Sequence, residues 1–207
     1  MTITRLEKYK GATWLVELDG ETTVFLHKSI VHDNSLYVDM EISTEAMNDI
    51  IRQSQRRKAW EYALYLLDVR DYSYTEMFDK LSSKDYGDET CFETMEKLVR
   101  LGMIDDRRYA QSLARKLVEV KKYGYYKAIF EMQRKGIDRE LCEEILAEYD
   151  DDQYERLLQL INRKYSRYLD DDDDGKGIAK VKNALARAGY GYDSINTAIE
   201  LYFEDNE

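Results

Sequence analysis

Two different periods divide this chain of 207 residues. Over residues 3–42, apolar and polar positions alternate, as they do in strands with one buried face. Trp14-Leu15-Val16-Glu17-Leu18 runs into Asp19-Gly20, a favoured two-residue hairpin turn, and Thr22-Thr23-Val24-Phe25-Leu26 follows. Leu36-Tyr37-Val38-Asp39-Met40 has the composition of a further short strand. The pattern predicts a small antiparallel sheet of three or four strands, with Asp19-Gly20 at a hairpin tip. Beyond Ser43, placed as a helix N-cap, the spacing becomes helical, beginning with a long helix from Thr44 to about Val69.

Helix signals then recur to the end. Ser73-Tyr74-Thr75-Glu76 has the capping-box form, and Asp88, Asp138 and Asp193 each precede a helical pattern. Gly102, Gly136 and Gly189 stand where helices should stop. Proline is absent, which favours helices joined by short glycine turns.

A register links these helices. Moving 51 residues along the chain carries Leu81 onto Met132, Tyr86 onto Ile137, Cys91 onto Cys142 and Met95 onto Leu146. A further 53 residues lead to Leu185, Tyr190, Ile195 and Ile199, and Leu98, Tyr149 and Tyr202 continue the series. All are apolar or aromatic at helical spacing, so one unit of about three helices is present three times. The expected organisation is a sheet extension over 1–43, a linking helix and first repeat over 44–104, a second repeat over 105–150 and a third over 151–207. Nine helices in three triplets are predicted, with Leu81, Met95, Leu98, Met132, Leu146, Leu185 and Ile199 buried.

Composition narrows the class. Charged residues make up 35% and apolar residues 43%, ordinary for a globular chain rich in helices. The 18 tyrosines suit helix interfaces, where the ring packs and the hydroxyl stays wet. Cys91 and Cys142 occupy equivalent repeat positions and are expected to be buried free thiols in a reducing cytoplasm. No signal-peptide core or membrane-length apolar run is visible. A cytoplasmic protein is expected.

No constellation points to catalysis, metal or cofactor. The two histidines, His27 and His32, lie in the sheet region without a ligand cluster and are expected at the surface or on an edge strand. There is no glycine-rich phosphate loop or nucleophile elbow. Asp170–Asp174 followed by Gly175 begins like a calcium loop, but Val181 stands where the twelfth position needs a glutamate. A solvated, self-repelling loop is the expectation there.

Charge is uneven. The net value is −11, yet residues 107–135 hold nine bases against two acids. The nine are Arg107, Arg108, Arg115, Lys116, Lys121, Lys122, Lys127, Arg134 and Lys135. Residues 138–174 reverse this, with fourteen acids against five bases. Such a basic stretch suits DNA phosphate or an acidic protein surface, and equally a solvated face paired with nearby acids. Arg108, Arg115 and Lys122, seven apart, are predicted to form one helical stripe. Tyr123, Tyr125 and Tyr126 interleave with the bases and suit either packing or stacking on unpaired nucleotides.

Leu101-Gly102-Met103-Ile104-Asp105-Asp106-Arg107-Arg108-Tyr109-Ala110 resembles the signature of the RecX family, and Lys135-Gly136-Ile137-Asp138-Arg139-Glu140 its second signature. Ala63-Leu64, Leu66-Leu67 and the cap from Ser73 to Glu76 resemble the opening of the family's first repeat. The resemblance covers about 57–207, is looser in the third repeat, and the sheet resembles an extension carried by some members. It implies an elongated, curved module of three three-helix repeats. It also implies a non-enzymatic regulator that binds the RecA recombinase assembled on single-stranded DNA, reducing ATP hydrolysis, strand exchange and coprotease activity. DNA repair, homologous recombination and the SOS response are the implied setting. RecA and its nucleoprotein filament are the implied partners, with weak DNA contact, no membrane and a monomeric chain. Family members tend to carry more bases after the position of Gly124, where this chain has Tyr125, Tyr126, Ala128 and Ile129 around Lys127. A nucleic-acid-binding protein acting through the 107–135 patch is the alternative reading.

Overall fold

A computed structural model describes residues 1–150, 153–170 and 175–205. The chain divides into two compact units, Met1–Ile104 and Asp105–Glu207.

The first unit opens with three antiparallel strands, β1 (Ile3–Lys10), β2 (Thr13–Leu18) and β3 (Thr22–His27), in the order β1-β2-β3. Asp19 and Gly20 form the predicted hairpin tip, both with positive φ. Pairing of Leu6 with Val16 and of Val16 with Val24 fixes the register. Ile3, Val16, Leu18 and Leu26 face inward onto Ile30, Val31, Leu36 and Ile42. On the outer face, Tyr9 and Phe25 are exposed with ring centroids 4.9 Å apart. The expected strand at Leu36–Met40 does not form. The chain instead makes a short helix, α1 (Lys28–Asp33), then turns with Ser35 and Asp39 at positive φ. Leu36 alone of that segment is buried, so its apolar residues serve a turn and not a pleated face.

Helix α2 (Thr44–Val69) starts at Ser43, whose Oγ accepts the Ala46 N–H at 3.1 Å. It serves two cores. Met47 and Ile50 close the sheet's core, whereas Ala59, Ala63 and Leu66 begin that of the first repeat. His27 joins the elements. Its backbone N–H donates to Ser54 Oγ at 2.7 Å, Nδ1 accepts from the Ser29 N–H at 3.2 Å, and Nε2 lies 3.1 Å from Glu61. It ends an edge strand, as expected, but its ring is buried rather than at the surface. Burial pulls its pKa below the ordinary histidine value, and the Glu61 charge opposes this. His32 is exposed. The repeat is completed by α3 (Tyr74–Ser82) and α4 (Asp88–Arg100).

The second unit holds the other two repeats. The second comprises α5 (Asp106–Arg115) continuing into a π-helical turn over Lys116–Val120, then α6 (Tyr125–Gln133) and α7 (Arg139–Ala147). The third comprises α8 (Gln153–Lys164), α9 (Ser166–Asp170), α10 (Lys176–Arg187) and α11 (Tyr192–Glu204). Among the described residues the expected triplet is therefore four helices, because the chain turns at Tyr165 and restarts as α9. Asp171–Asp174, most of the acidic run, lie outside the described residues.

The repeat register is the register of the cores. Leu81, Met132 and Leu185 are fully buried, as are Cys91, Cys142 and Ile195. Met95, Leu146 and Ile199 are buried at the next position. The series extends to further buried positions: Ala59 matches Ala110, Ala63 matches Ala114, and Met77 matches Ala128 and Val181. Both cysteines are free, and burial pushes the Cys142 thiol up to about 11. No described helix is long and apolar enough to cross a membrane.

Candidate interaction face

The basic segment is built on α5, the π turn and the start of α6. Asp105 Oδ1 accepts the Arg108 N–H at 3.0 Å and caps α5, which buries Ala110 and Ala114 and turns its charged residues outward. Arg107, Arg108, Arg115, Lys116, Lys121 and Arg134 are exposed; Lys122, Lys127 and Lys135 are half-buried.

Arg107, Arg115 and Arg134 meet nearby acids. Arg107 forks the Glu144 carboxylate of α7 at 2.7 and 2.8 Å, and this hydrogen bonding holds Glu144 below its ordinary pKa. Arg115 pairs with Glu119 at 3.1 Å, and Arg134 with Glu131 at 3.2 Å. Every arginine in these pairs is more than half exposed, so each bond is weak and a partner with denser charge displaces it at little cost. Lys121 and Lys127 approach the Tyr123 ring at 5.5 and 4.2 Å. Lys116 and Lys122 have no acidic partner within 4 Å among the described residues.

The predicted stripe of Arg108, Arg115 and Lys122 breaks after Arg115. In the π turn the Lys121 N–H bonds the Lys116 carbonyl at 3.0 Å, five residues back, which shifts the helical phase. Lys122 then leaves the helix with φ of +55°. Arg108 and Arg115 remain on α5, and Lys122 belongs to the turn into α6.

That turn is fixed by the third repeat. The Gly124 N–H donates to the Ala188 carbonyl at 2.8 Å and the Tyr126 N–H to the Gly189 carbonyl at 3.0 Å. The Tyr190 hydroxyl donates to the Lys122 carbonyl at 3.1 Å. The carbonyls just past the end of α10 thereby satisfy N–H groups at the opening of α6, with the two helix dipoles in favourable sense. Only glycine fits this contact: a Cβ on Gly124 would lie 2.4 Å from the Gly189 oxygen, and one on Gly189 2.4 Å from Lys127 Cβ. Gly189 also has φ of +91°.

The junction brings in a second basic run. Residues 175–192 hold Lys176, Lys180, Lys182 and Arg187 and no acid. A charge count ending at the acidic run misses it. No group of three or more His, Cys, Asp or Glu among the described residues could hold a metal ion.

Three family models match consecutively: the first RecX three-helix domain over residues 59–98, the second over 105–146 and the third over 150–199. A regulatory protein RecX of Trichlorobacter lovleyi is 31% identical over 140 residues, 67% of this chain and 91% of that protein. The RecX of Clostridioides difficile is 26% identical over 208 residues, 99% of this chain and 97% of its own, so the match includes the sheet region. Among solved structures, a crystal structure of RecX from Lactobacillus salivarius superposes with a TM-score of 0.66 at 30% identity, covering 72% of this chain and 96% of that one. Another regulatory protein RecX superposes with a TM-score of 0.69 over 96% of this chain and 98% of its own; at 20% identity that likeness concerns the fold.

Proposed function

The chain belongs to the RecX family, and on that premise we propose that it is a modulator of the RecA recombinase, acting as an inhibitor of the RecA filament on single-stranded DNA. The observation that carries this reading is the ordered set of three RecX domains on a fold with three repeated cores. Bound to the filament, the protein reduces ATP hydrolysis, strand exchange and coprotease activity. It works as a monomeric binding protein in the cytoplasm and not as an enzyme. Two buried, free thiols agree with a reducing compartment.

The contact face in this reading is the basic segment of the second repeat: Arg107, Arg108, Arg115, Lys116, Lys121, Lys122, Lys127, Arg134 and Lys135. Its support is physical. An outward excess of cations on a chain of net charge −11 steers the protein toward a polyanion or an acidic ridge. The test is RecA's single-strand-dependent ATP hydrolysis with increasing amounts of this protein. The expected result is a dose-dependent fall toward the DNA-free rate. Unchanged hydrolysis at a molar excess over RecA would overturn the reading.

A further inference from the structure

We propose that the outward face of α4, in the first repeat, is a docking groove for a basic amphipathic helix of a partner protein. Cys91, Met95 and Leu98 turn into the core, and Phe92, Glu96 and Val99 follow one another along the outward side. Phe92 is 55% exposed and Val99 47%. Tyr74, opening α3, is exposed too and continues the apolar strip. Its ring stacks on Phe78 at 6.5 Å, and Phe78 meets Phe92 at 5.0 Å between centroids. Tyr74, Phe92 and Val99 line an open groove whose polar margin is Glu89, Glu93 and Glu96, with Arg100 at its far end.

The other repeats act as an internal control. In the 51- and 53-residue register Phe92 corresponds to Glu143 and then Asn196, and Val99 to Asp150 and then Phe203. The repeated core therefore forms with a polar residue where α4 carries Phe92. Folding does not explain the ring, and a contiguous apolar strip rimmed by charge marks a contact surface.

The margin selects the occupant. Glu89 and Glu96 are exposed and have no basic partner within 4 Å among the described residues. Glu93 pairs with Arg56 of α2 at 2.5 Å, and Lys97 is turned away, its Nζ 3.9 Å from the centre of the Trp60 ring. Acids beside an apolar strip repel phosphate polyanions and anionic lipid, and they attract lysine or arginine flanking an apolar anchor. The interior backbone groups of α4 bond within the helix, so an extended segment would find no main-chain partners there. A helix satisfies its own backbone and needs only side-chain contacts. Phe92 and Val99 stand seven residues apart, roughly 10.5 Å along the axis, which two turns of a partner helix match. Its apolar residues at i, i+4 and i+7 meet the strip, and its flanking bases meet Glu89 and Glu96. The groove shares no residue with the basic segment of the second repeat and does not depend on the RecA reading.

The test uses the full chain without any recombinase. The probe is a fluorescein-labelled amphipathic peptide of roughly 18 residues, about five turns, with leucines at i, i+4, i+7 and i+11 and lysines on both flanks. A second peptide carries glutamate in place of each lysine. Anisotropy is measured at moderate salt, and sedimentation velocity follows the chain alone. The parent is expected to bind the lysine peptide, and the glutamate peptide at least tenfold more weakly. Phe92→Glu should weaken binding of the lysine peptide at least tenfold. The second repeat carries glutamate at this register, and circular dichroism verifies the fold. Simple attraction to a chain of net charge −11 would make the same substitution strengthen binding, so the sign separates the two. Glu89→Gln with Glu96→Gln should weaken binding about threefold. No binding of the lysine peptide up to about 1 mM overturns the proposal. So does full or increased affinity in the folded Phe92→Glu protein, full affinity in the glutamine double variant, or equal affinity for both peptides. Self-association of the parent that Phe92→Glu abolishes assigns the face to a second copy and also overturns it.

Discussion

The first and second repeats bury the same positions but begin their middle helices by different means. In the first, Ser73 supplies the cap from its own side chain, its Oγ accepting the Glu76 N–H at 3.1 Å. In the second, the residue 51 positions later is Gly124, and the cap comes from the carbonyls of Ala188 and Gly189 in the third repeat. The outward faces differ as well. Residues 71–100 hold eight acids and four bases, and α4 exposes Phe92 and Val99. Residues 107–135 hold two acids and nine bases. A shared core therefore fixes the repeat, while caps and outward residues are free to diverge. In the second repeat the loss of a self-contained cap is what ties it to its neighbour and assembles a basic, tyrosine-bearing surface.

The largest expected effect tests the shared core. Leu81→Ala, Met132→Ala and Leu185→Ala should each destabilise by about 2–5 kcal/mol in urea unfolding, because all three sites are fully buried. Near-neutral values at one of the three would mean that the cores are not equivalent.

The caps separate the repeats next. Gly124→Ser offers a side-chain cap like that of Ser73, but its Cβ would meet the Gly189 backbone at 2.4 Å. It should destabilise by roughly 1–3 kcal/mol, the range for an overpacked site. Ser73→Ala should cost about 1 kcal/mol, the ordinary value of a lost N-cap. A Gly124→Ser protein as stable as the parent would contradict the close seam.

Much of this is legible in the residues. The 51- and 53-residue register locates the cores because large apolar side chains repeat at helical spacing. It passes over Ala59, Ala63, Ala110 and Ala114, whose burial reflects close helix approach and not hydrophobic bulk. Leu36–Met40 reads as a strand because alternation alone cannot report that Ser35 and Asp39 take positive φ. The π turn has no residue signature, so the spacing of Arg108, Arg115 and Lys122 suggests a stripe that the backbone interrupts. The seam is the least legible feature, since it depends on two glycines 65 residues apart meeting in space.

A smaller effect concerns the third repeat alone. The Tyr202 hydroxyl donates to Asp170 at 2.6 Å, and burial with this bond raises its pKa to about 12. Its folded pKa lies above the ordinary tyrosine value, near 10, so its stabilisation is complete below about pH 10 and is lost as pH rises through 12. Tyr202→Phe should flatten the fall in stability across that window. Identical alkaline profiles for parent and variant would show that this bond does not link α9 to α11.

The central proposal is that an outward basic face on a core repeated three times acts on RecA. Its most direct test is inhibition of RecA's single-strand-dependent ATP hydrolysis by a variant carrying Arg108→Glu, Arg115→Glu and Lys116→Glu. All three sites are exposed, and an acid at position 108 suits the first turn of α5, so the fold should persist with unchanged helicity. The account predicts that inhibition by this variant falls at least tenfold in potency relative to the parent. A folded variant that inhibits as well as the parent would contradict it.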